Sequence, residues 1–304
     1  MPLSPPPPLG AHFLPSGAYG GRVVMVTGGG TGLGKSIALE FARLGAKVAI
    51  VSRSNFEAGV AAIKADGGEA FGAAMDVRDP ASVAACFDAV EAALGPVDVL
   101  INNAAGNFEV PADRMSPNAW KTVVDIVLNG TFYCAREFGL RRLKAGTGGA
   151  VLNVGAPYAA TGGPSTAHSA AAKAGVNNLT WSLAVEWAPD NIRINTLAPG
   201  FYPEKDRSNH SVEAGSSAAN LDAQIAKRMQ TIPGGRVGQA RELGWLATFL
   251  CSDYANYLTG HVIVLDAANW LRRWHSTAPF EPIRESFDRR KREAEEAAAA
   301  KGGS

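Results

Sequence analysis

The chain has 304 residues, a formal net charge of +1, and 46% hydrophobic against 19% charged residues, enough for one large globular core. A charge so near zero excludes bulk electrostatic binding to nucleic acid, and no apolar run reaches membrane-spanning length. Cys86, Cys134 and Cys251 are scattered and odd in number, outside any metal or redox spacing; they read as buried thiols in a reducing compartment.

Residues 1–20 carry a proline cluster and no Lys or Arg. That argues against a secretory or Arg-rich transit segment, hence a cytoplasmic expectation, and for an extended N-terminal arm. From there, short apolar runs alternate with alanine-rich helical stretches. Strands are expected at 22–28, 47–53, 69–77, 97–106 (opening into a loop), 148–156, 192–200 and 261–267. Helices are expected at 35–46, 55–68, 80–95, 116–146 and 166–188. Ser116 would cap the long helix that starts beside it. This alternation predicts an α/β fold, a Rossmann-type doubly wound parallel sheet in a single domain spanning 21–269. Two segments depart from the pattern. Residues about 201–235 begin polar and rich in small side chains and suggest a substrate lid. The tail, 270–304, ends in a charged helical run that reads as a solvated, fraying helix.

The turn Thr27-Gly28-Gly29-Gly30-Thr31-Gly32-Leu33-Gly34 comes after the first strand and opens the first helix. Glycines let the backbone approach a pyrophosphate, and the helix start offers free N–H groups with a partial positive charge. Gly28, Thr31, Gly32, Leu33 and Gly34 are the candidate contacts. The spacing TGxxxGxG resembles the short-chain dehydrogenase/reductase family. Asn102-Asn103-Ala104-Ala105-Gly106, Asn129, Lys173 and Pro199-Gly200 match further family motifs in order. The resemblance implies a nicotinamide dinucleotide and a homotetramer, with Asn103, Lys173, Pro199 and Gly200 at the cofactor and Asp76 against the adenine. The second strand ends without an acid, and Arg53 is available to a 2′-phosphate instead, which favours NADP(H). No spacing suits a metal ion. The threonine that commonly comes after Pro-Gly is missing, and Asp266-Ala267-Ala268 stands where Asp-Gly-Gly is usual.

In most of that family a tyrosine four residues before the lysine protonates the substrate oxygen, helped by a serine thirteen residues earlier. Here those positions hold Ser169 and Ala156. Three explanations compete: a cofactor-binding scaffold without turnover, a reductase with an unrelated donor, or a tyrosine that reaches the same cavity from Tyr158. The third is supported by a resemblance to the 2,4-dienoyl-CoA reductase branch, mitochondrial type. There the tyrosine lies fifteen residues before the lysine, a serine takes the usual tyrosine place, and an asparagine comes after the NNAAG loop. Tyr158, Ser169, Lys173 and Asn107 stand in those relationships.

That branch implies reduction of dienoyl thioesters in oxidation of unsaturated fatty acids, with an acyl-CoA substrate and no membrane or nucleic-acid partner. Asn107 and Tyr158 would hold the thioester carbonyl while hydride adds at the δ carbon. Lys173 would hold the nicotinamide ribose, and Ser169 either hydrogen-bonds nearby or fills space left by the absent ring. Asn129 bends its helix and holds water near the lysine. Arg78, Phe108 and Ser116 would line the CoA or acyl site. The enzymatic alternative is a reductase of another enoyl or keto thioester. His168 reads as structural because neighbours on a helix lie about 100° apart, and Trp181 and Trp187 as packing or subunit-contact residues.

Overall fold

The computed structural model describes residues 3–7, 13–203, 218–275 and 282–302. Its centre is a seven-stranded parallel sheet. The strands are β1 (Val23–Thr27), β2 (Lys47–Ser52), β3 (Glu69–Ala74), β4 (Val97–Asn102), β5 (Gly149–Val154), β6 (Ile192–Pro199) and β7 (Val262–Leu265), in the order β3-β2-β1-β4-β5-β6-β7. β1 is VVMVT and β4 is VDVLIN. Such nearly unbroken apolar runs suit strands covered on both faces. The chain reverses direction between β1 and β4, which opens a crevice at the carboxyl ends of the strands.

Helices cover both faces. One face carries α1 (Gly32–Arg43), α2 (Phe56–Ala65) and, from later in the chain, α9 (Ala240–Cys251). The other carries α3 (Pro80–Leu94), α4 (Pro117–Val124), α5 (Gly130–Ala145) and α7 (Ala167–Trp187). Short α6 (Tyr158–Thr161) precedes α7, and α8 (Ala218–Met229) and α10 (Ile283–Gly302) complete the helices. Two apolar cores result, one on each side of the sheet. One is built around Phe41, Ile50 and Leu152, the other around Met25, Phe87 and Phe138.

Three expectations are corrected. The stretch from Ser116 is not one helix: α4 runs into a π-helical turn at Asp125–Asn129 before α5 resumes. Asn129 ends that turn, and its amide donates to Asp125 Oδ1 at 2.9 Å. Residues 16–21 are turns, and Leu14 and Tyr19 lie in the core, where an extended arm was expected. α9 was not expected at all. Its start carries a reciprocal cap between Gln239 and Glu242, a Q-x-x-E variant of the usual capping pattern. Of the expected lid, 204–217 lies outside the described residues; α8 comes directly after it. Among the described residues no helix is long and apolar enough to cross a membrane.

Tyr19 pins the N-terminal segment to the body. Its ring meets Phe41 edge-on at 4.8 Å and its hydroxyl donates to the Thr248 carbonyl. Tyr19→Phe keeps the ring and strands that carbonyl. A loss of about 1 kcal/mol is expected, read as a lower urea midpoint at unchanged slope.

Candidate functional site

The glycine-rich turn is a cradle with no room for side chains. Gly28 and Gly32 adopt positive φ angles of 65° and 61°, which glycine tolerates best. A Cβ on Gly30 would fall 1.9 Å from the Asn55 carbonyl oxygen. One on Gly34 would fall 2.4 Å from Asn103 Nδ2 and 2.7 Å from the Gly28 carbonyl oxygen. Thr31 stands at the N-cap of α1 in extended conformation, yet its side chain makes no capping bond. The first N–H groups of α1, around Leu33 and Gly34, are therefore left to an anion. A backbone cradle of this shape fits the pyrophosphate of a dinucleotide.

Asn103 braces the cradle. Its Nδ2 donates to the carbonyls of Thr27 and Gly28, each at 3.0 Å, while Thr27 Oγ1 accepts from the N–H groups of Asn103 and Ala104 at 3.0 and 2.9 Å. Asn103 is thus a joint between β1 and β4, and Thr27, which the sequence did not single out, is its other half. A threonine directly before the first glycine was the available signal.

At the outer edge, Arg53 is exposed beyond β2 and Asp76 lies beyond β3. Arg78 reaches back to Asp76 with Nε at 2.9 and 3.1 Å from the two carboxylate oxygens, and its own N–H donates at 3.0 Å. These bonds, with the charge of Arg53 nearby, hold the Asp76 carboxyl down at about 2. Arg78, expected at the CoA or acyl site, is therefore paired with Asp76 here. Pro199 ends β6, and the Gly200 N–H donates to the Leu265 carbonyl at 3.0 Å.

The other end of the crevice gathers the displaced tyrosine. Tyr158 begins α6 just after β5, and its hydroxyl lies 3.0 Å from Ser169 Oγ on α7. The phenol thus arrives beside the side chain at the usual tyrosine position, from a different backbone site. Ser169 is buried, as is Ala156. Lys173, one turn further along α7, is also buried, and its Nζ donates to the Val154 carbonyl. Burial without a nearby carboxylate pulls the ammonium down to about 8.

The loop after β4 comes to the same place. The Val110 N–H donates to the Ser165 carbonyl at 2.7 Å. Phe108 stands edge-on to His168 at 4.6 Å. Asn107 Oδ1 is buried and has no hydrogen-bond partner. His168 is fully buried, its Nδ1 accepts from the Ser169 N–H at 2.8 Å, and burial holds it below the ordinary imidazole value. Its ring packs against Phe108, while its Nε2 is buried without a hydrogen-bond partner among the described residues. Ser116 is exposed and its Oγ accepts from the Ala119 N–H at 3.1 Å; its hydroxyl is occupied as a cap. Trp187 is buried against Gly139, whereas Trp181 is half exposed.

Comparison with known proteins identifies the family. A family model described as enoyl-(acyl carrier protein) reductase matches residues 28–267. An uncharacterized oxidoreductase of Caenorhabditis elegans is 45% identical over 83% of this chain and 80% of its own length. A second protein of that organism, named probable 2,4-dienoyl-CoA reductase 3, is 40% identical over 84% and 82%. The crystal structure of a proposed 2-deoxy-D-gluconate 3-dehydrogenase from Agrobacterium tumefaciens, with bound NADP, superposes with a TM-score of 0.73 at 32% identity, covering 83% of this chain and 98% of that one. The chain belongs to the short-chain dehydrogenase/reductase family and is an oxidoreductase of it.

Gly34→Ala tests the cradle. The added methyl must push aside the Asn103 amide or the Gly28 carbonyl, so affinity for a nicotinamide dinucleotide should fall about tenfold or more, about 1.4 kcal/mol. Calorimetric titration with NADPH reads it.

Proposed function

We propose that the chain is an NADPH-dependent 2,4-dienoyl-CoA reductase. It would yield a 3-enoyl-CoA and serve oxidation of unsaturated fatty acids in the cytoplasm as a homotetramer. The observation that carries this reading is the approach of the Tyr158 hydroxyl to Ser169. A phenol at that point, with Asn107 on the facing loop, suits a reaction that stabilises charge on a thioester oxygen. A ketone reductase must instead deliver a proton to that oxygen.

NADPH, when bound, supplies the hydride. The cradle at Gly28, Thr31, Gly32, Leu33 and Gly34 would hold its pyrophosphate. Arg53 would face the 2′-phosphate, Asp76 the adenine, and Lys173 the nicotinamide ribose, with Asn103, Pro199 and Gly200 shaping the wall. The substrate carbonyl would accept hydrogen bonds from Asn107 Nδ2 and the Tyr158 hydroxyl. As hydride adds to the δ carbon, electrons shift through the diene and negative charge collects at that oxygen. Donors already aimed there need not reorient, so each contributes about 3 kcal/mol to the barrier reduction. Ser169 fixes the phenol by their mutual hydrogen bond. Addition of one proton at the α carbon then leaves the double bond between the β and γ carbons. Phe108 closes the apolar side against His168, and Arg78 lies at the edge where the CoA phosphates would enter.

A second reading, reduction of another enoyl thioester, is favoured by the description of the matched family model. Substrate profiling separates the two, because only a dienoyl thioester gives an isolated 3-ene. The tetramer draws support from apolar side chains left uncovered on α5 and α7: Phe132, Leu140, Leu143, Trp181 and Val185.

Tyr158→Phe should lower kcat/KM for a 2,4-dienoyl-CoA by about a hundredfold or more while NADPH affinity stays within about twofold. Unchanged turnover would remove Tyr158 from the mechanism.

The pH profile is set by Lys173. Its charge is present below about 8 and lost above. In the free enzyme, kcat/KM for NADPH should be level below that value and fall about tenfold per pH unit beyond it. A profile level up to the ordinary lysine range would show that the buried ammonium is not the titrating group.

A further inference from the structure

The helix α10 lies beyond the stretch matched by the family model, which ends at residue 267. Its composition suggested a solvated tail. In the structure it lies across the loop that continues from Asn107 and Phe108. Arg284 pairs with Asp113 at 3.1 Å and Arg290 with Glu109 at 2.7 Å. Arg114 grips Asp288 through both guanidinium ends and lies 5.8 Å over the Phe287 ring. Each pair is partly exposed and worth little alone. Three on one helix, opposite one loop, set its position and register.

Beneath the start of α10 is a space of about 520 Å³, within the range of small-ligand sites, about 300–1,000 Å³. Pro111, Ala112, Gly163, Pro164, Ala167 and Ile283 make most of its lining apolar; of its charged residues Asp113 and Arg284 pair with each other, which leaves Glu285. Two of its walls are the segments that carry the reaction-end residues. The wall at 111–113 continues the Asn107–Phe108 loop, and the wall at 163–167 joins Tyr158 to Ser169. The Val110–Ser165 hydrogen bond ties the two walls together. A Cβ built on Gly163 would lie 3.6 Å from Tyr158 Cβ.

We propose that α10 roofs the acyl end of the substrate site and that the alkyl tail of the thioester lies in the space beneath it, with Ile283 setting the accepted chain length. This rests on the dienoyl-thioester reading above. The chemistry identifies the occupant: a carbonyl held between Tyr158 and Asn107 directs its uncharged tail along their two segments, and among the described residues the space has no unpaired cation for the phosphates of CoA.

The test compares kcat/KM for dodecadienoyl-CoA with that for hexadienoyl-CoA in the full chain, so that any general loss of active protein cancels in the ratio. Ile283→Trp, which fills the space, should lower the long-to-short ratio about tenfold or more. Asp288→Arg, which sets two cations against each other, should lower it as well, and the exchanged pair Arg114→Asp with Asp288→Arg should restore it. An unchanged ratio in Ile283→Trp overturns the proposal while leaving the reductase reading intact. If the wild type reduces neither thioester, the reductase reading fails instead. The roof is then judged by calorimetry with the saturated thioesters. Tighter binding of dodecanoyl-CoA than hexanoyl-CoA, erased by Ile283→Trp, supports it, and equal binding of the two overturns it.

Discussion

The joint between Thr27 and Asn103 is the constraint on which the rest of the site depends. At the β1–β4 boundary the connections leave in opposite directions, and the ladder that pairs Val26 with Ile101 stops short of fixing the loop after β4 to the cradle. One hydroxyl and one amide do so, through two backbone N–H groups on one side and two carbonyls on the other. The glycine cradle ends on β1's side of this joint, and the Asn107–Phe108 loop begins on β4's side. The position of a bound dinucleotide relative to the residues that would grip a carbonyl is therefore set by a few short hydrogen bonds. The close approach of Gly34 to the Asn103 amide explains why this glycine cannot be traded for a residue with better helix propensity.

Electrostatically the two ends of the crevice are opposites. At the outer end, Arg53, Asp76 and Arg78 are partly exposed, and an arginine shields the carboxylate that would meet an adenine. At the inner end Lys173 is buried with a single main-chain carbonyl as its partner. Loss of hydration on burial is what holds its value below the ordinary lysine range. A buried cation with one uncharged partner is an expensive feature that packing alone does not require. It makes sense where a ribose and a charged intermediate are to be bound, because low dielectric strengthens the same cation's pull on an oxygen that becomes negative.

Much of this was legible in the sequence. Seven apolar runs marked the seven strands, since a two-faced parallel sheet demands that pattern, and motif order placed the cradle and Lys173. The displaced Tyr158 was visible as spacing, but only the fold shows that α6 turns its hydroxyl toward Ser169. The features that escaped were long-range or subtle. Arg114 and Asp288 are 174 positions apart, and no local pattern pairs them. The π turn at Asp125–Asn129 adds one residue to a helix whose periodicity otherwise looks unbroken. Arg78, read as a substrate-site residue, also pairs with Asp76 two residues away, a short-range contact that a motif match does not weigh.

The C-terminal departures fit together physically. Ala267 and Ala268 replace the usual glycines yet keep left-handed φ angles of 54° and 64°, at a cost of about 1 kcal/mol each. The backbone is held to that shape from both sides. Asp266 crowds Gly200, where an added Cβ would lie 2.4 Å from the aspartate Cβ, and the Asp266 carboxylate accepts from the Trp270 N–H at 2.8 Å. The turn redirects the chain out of β7 next to Gly200, on the side of the sheet where the crevice opens. A strained turn retained at this point has a reason if the chain beyond it must return to the crevice, and α10, seated on the loop after Phe108, does return there.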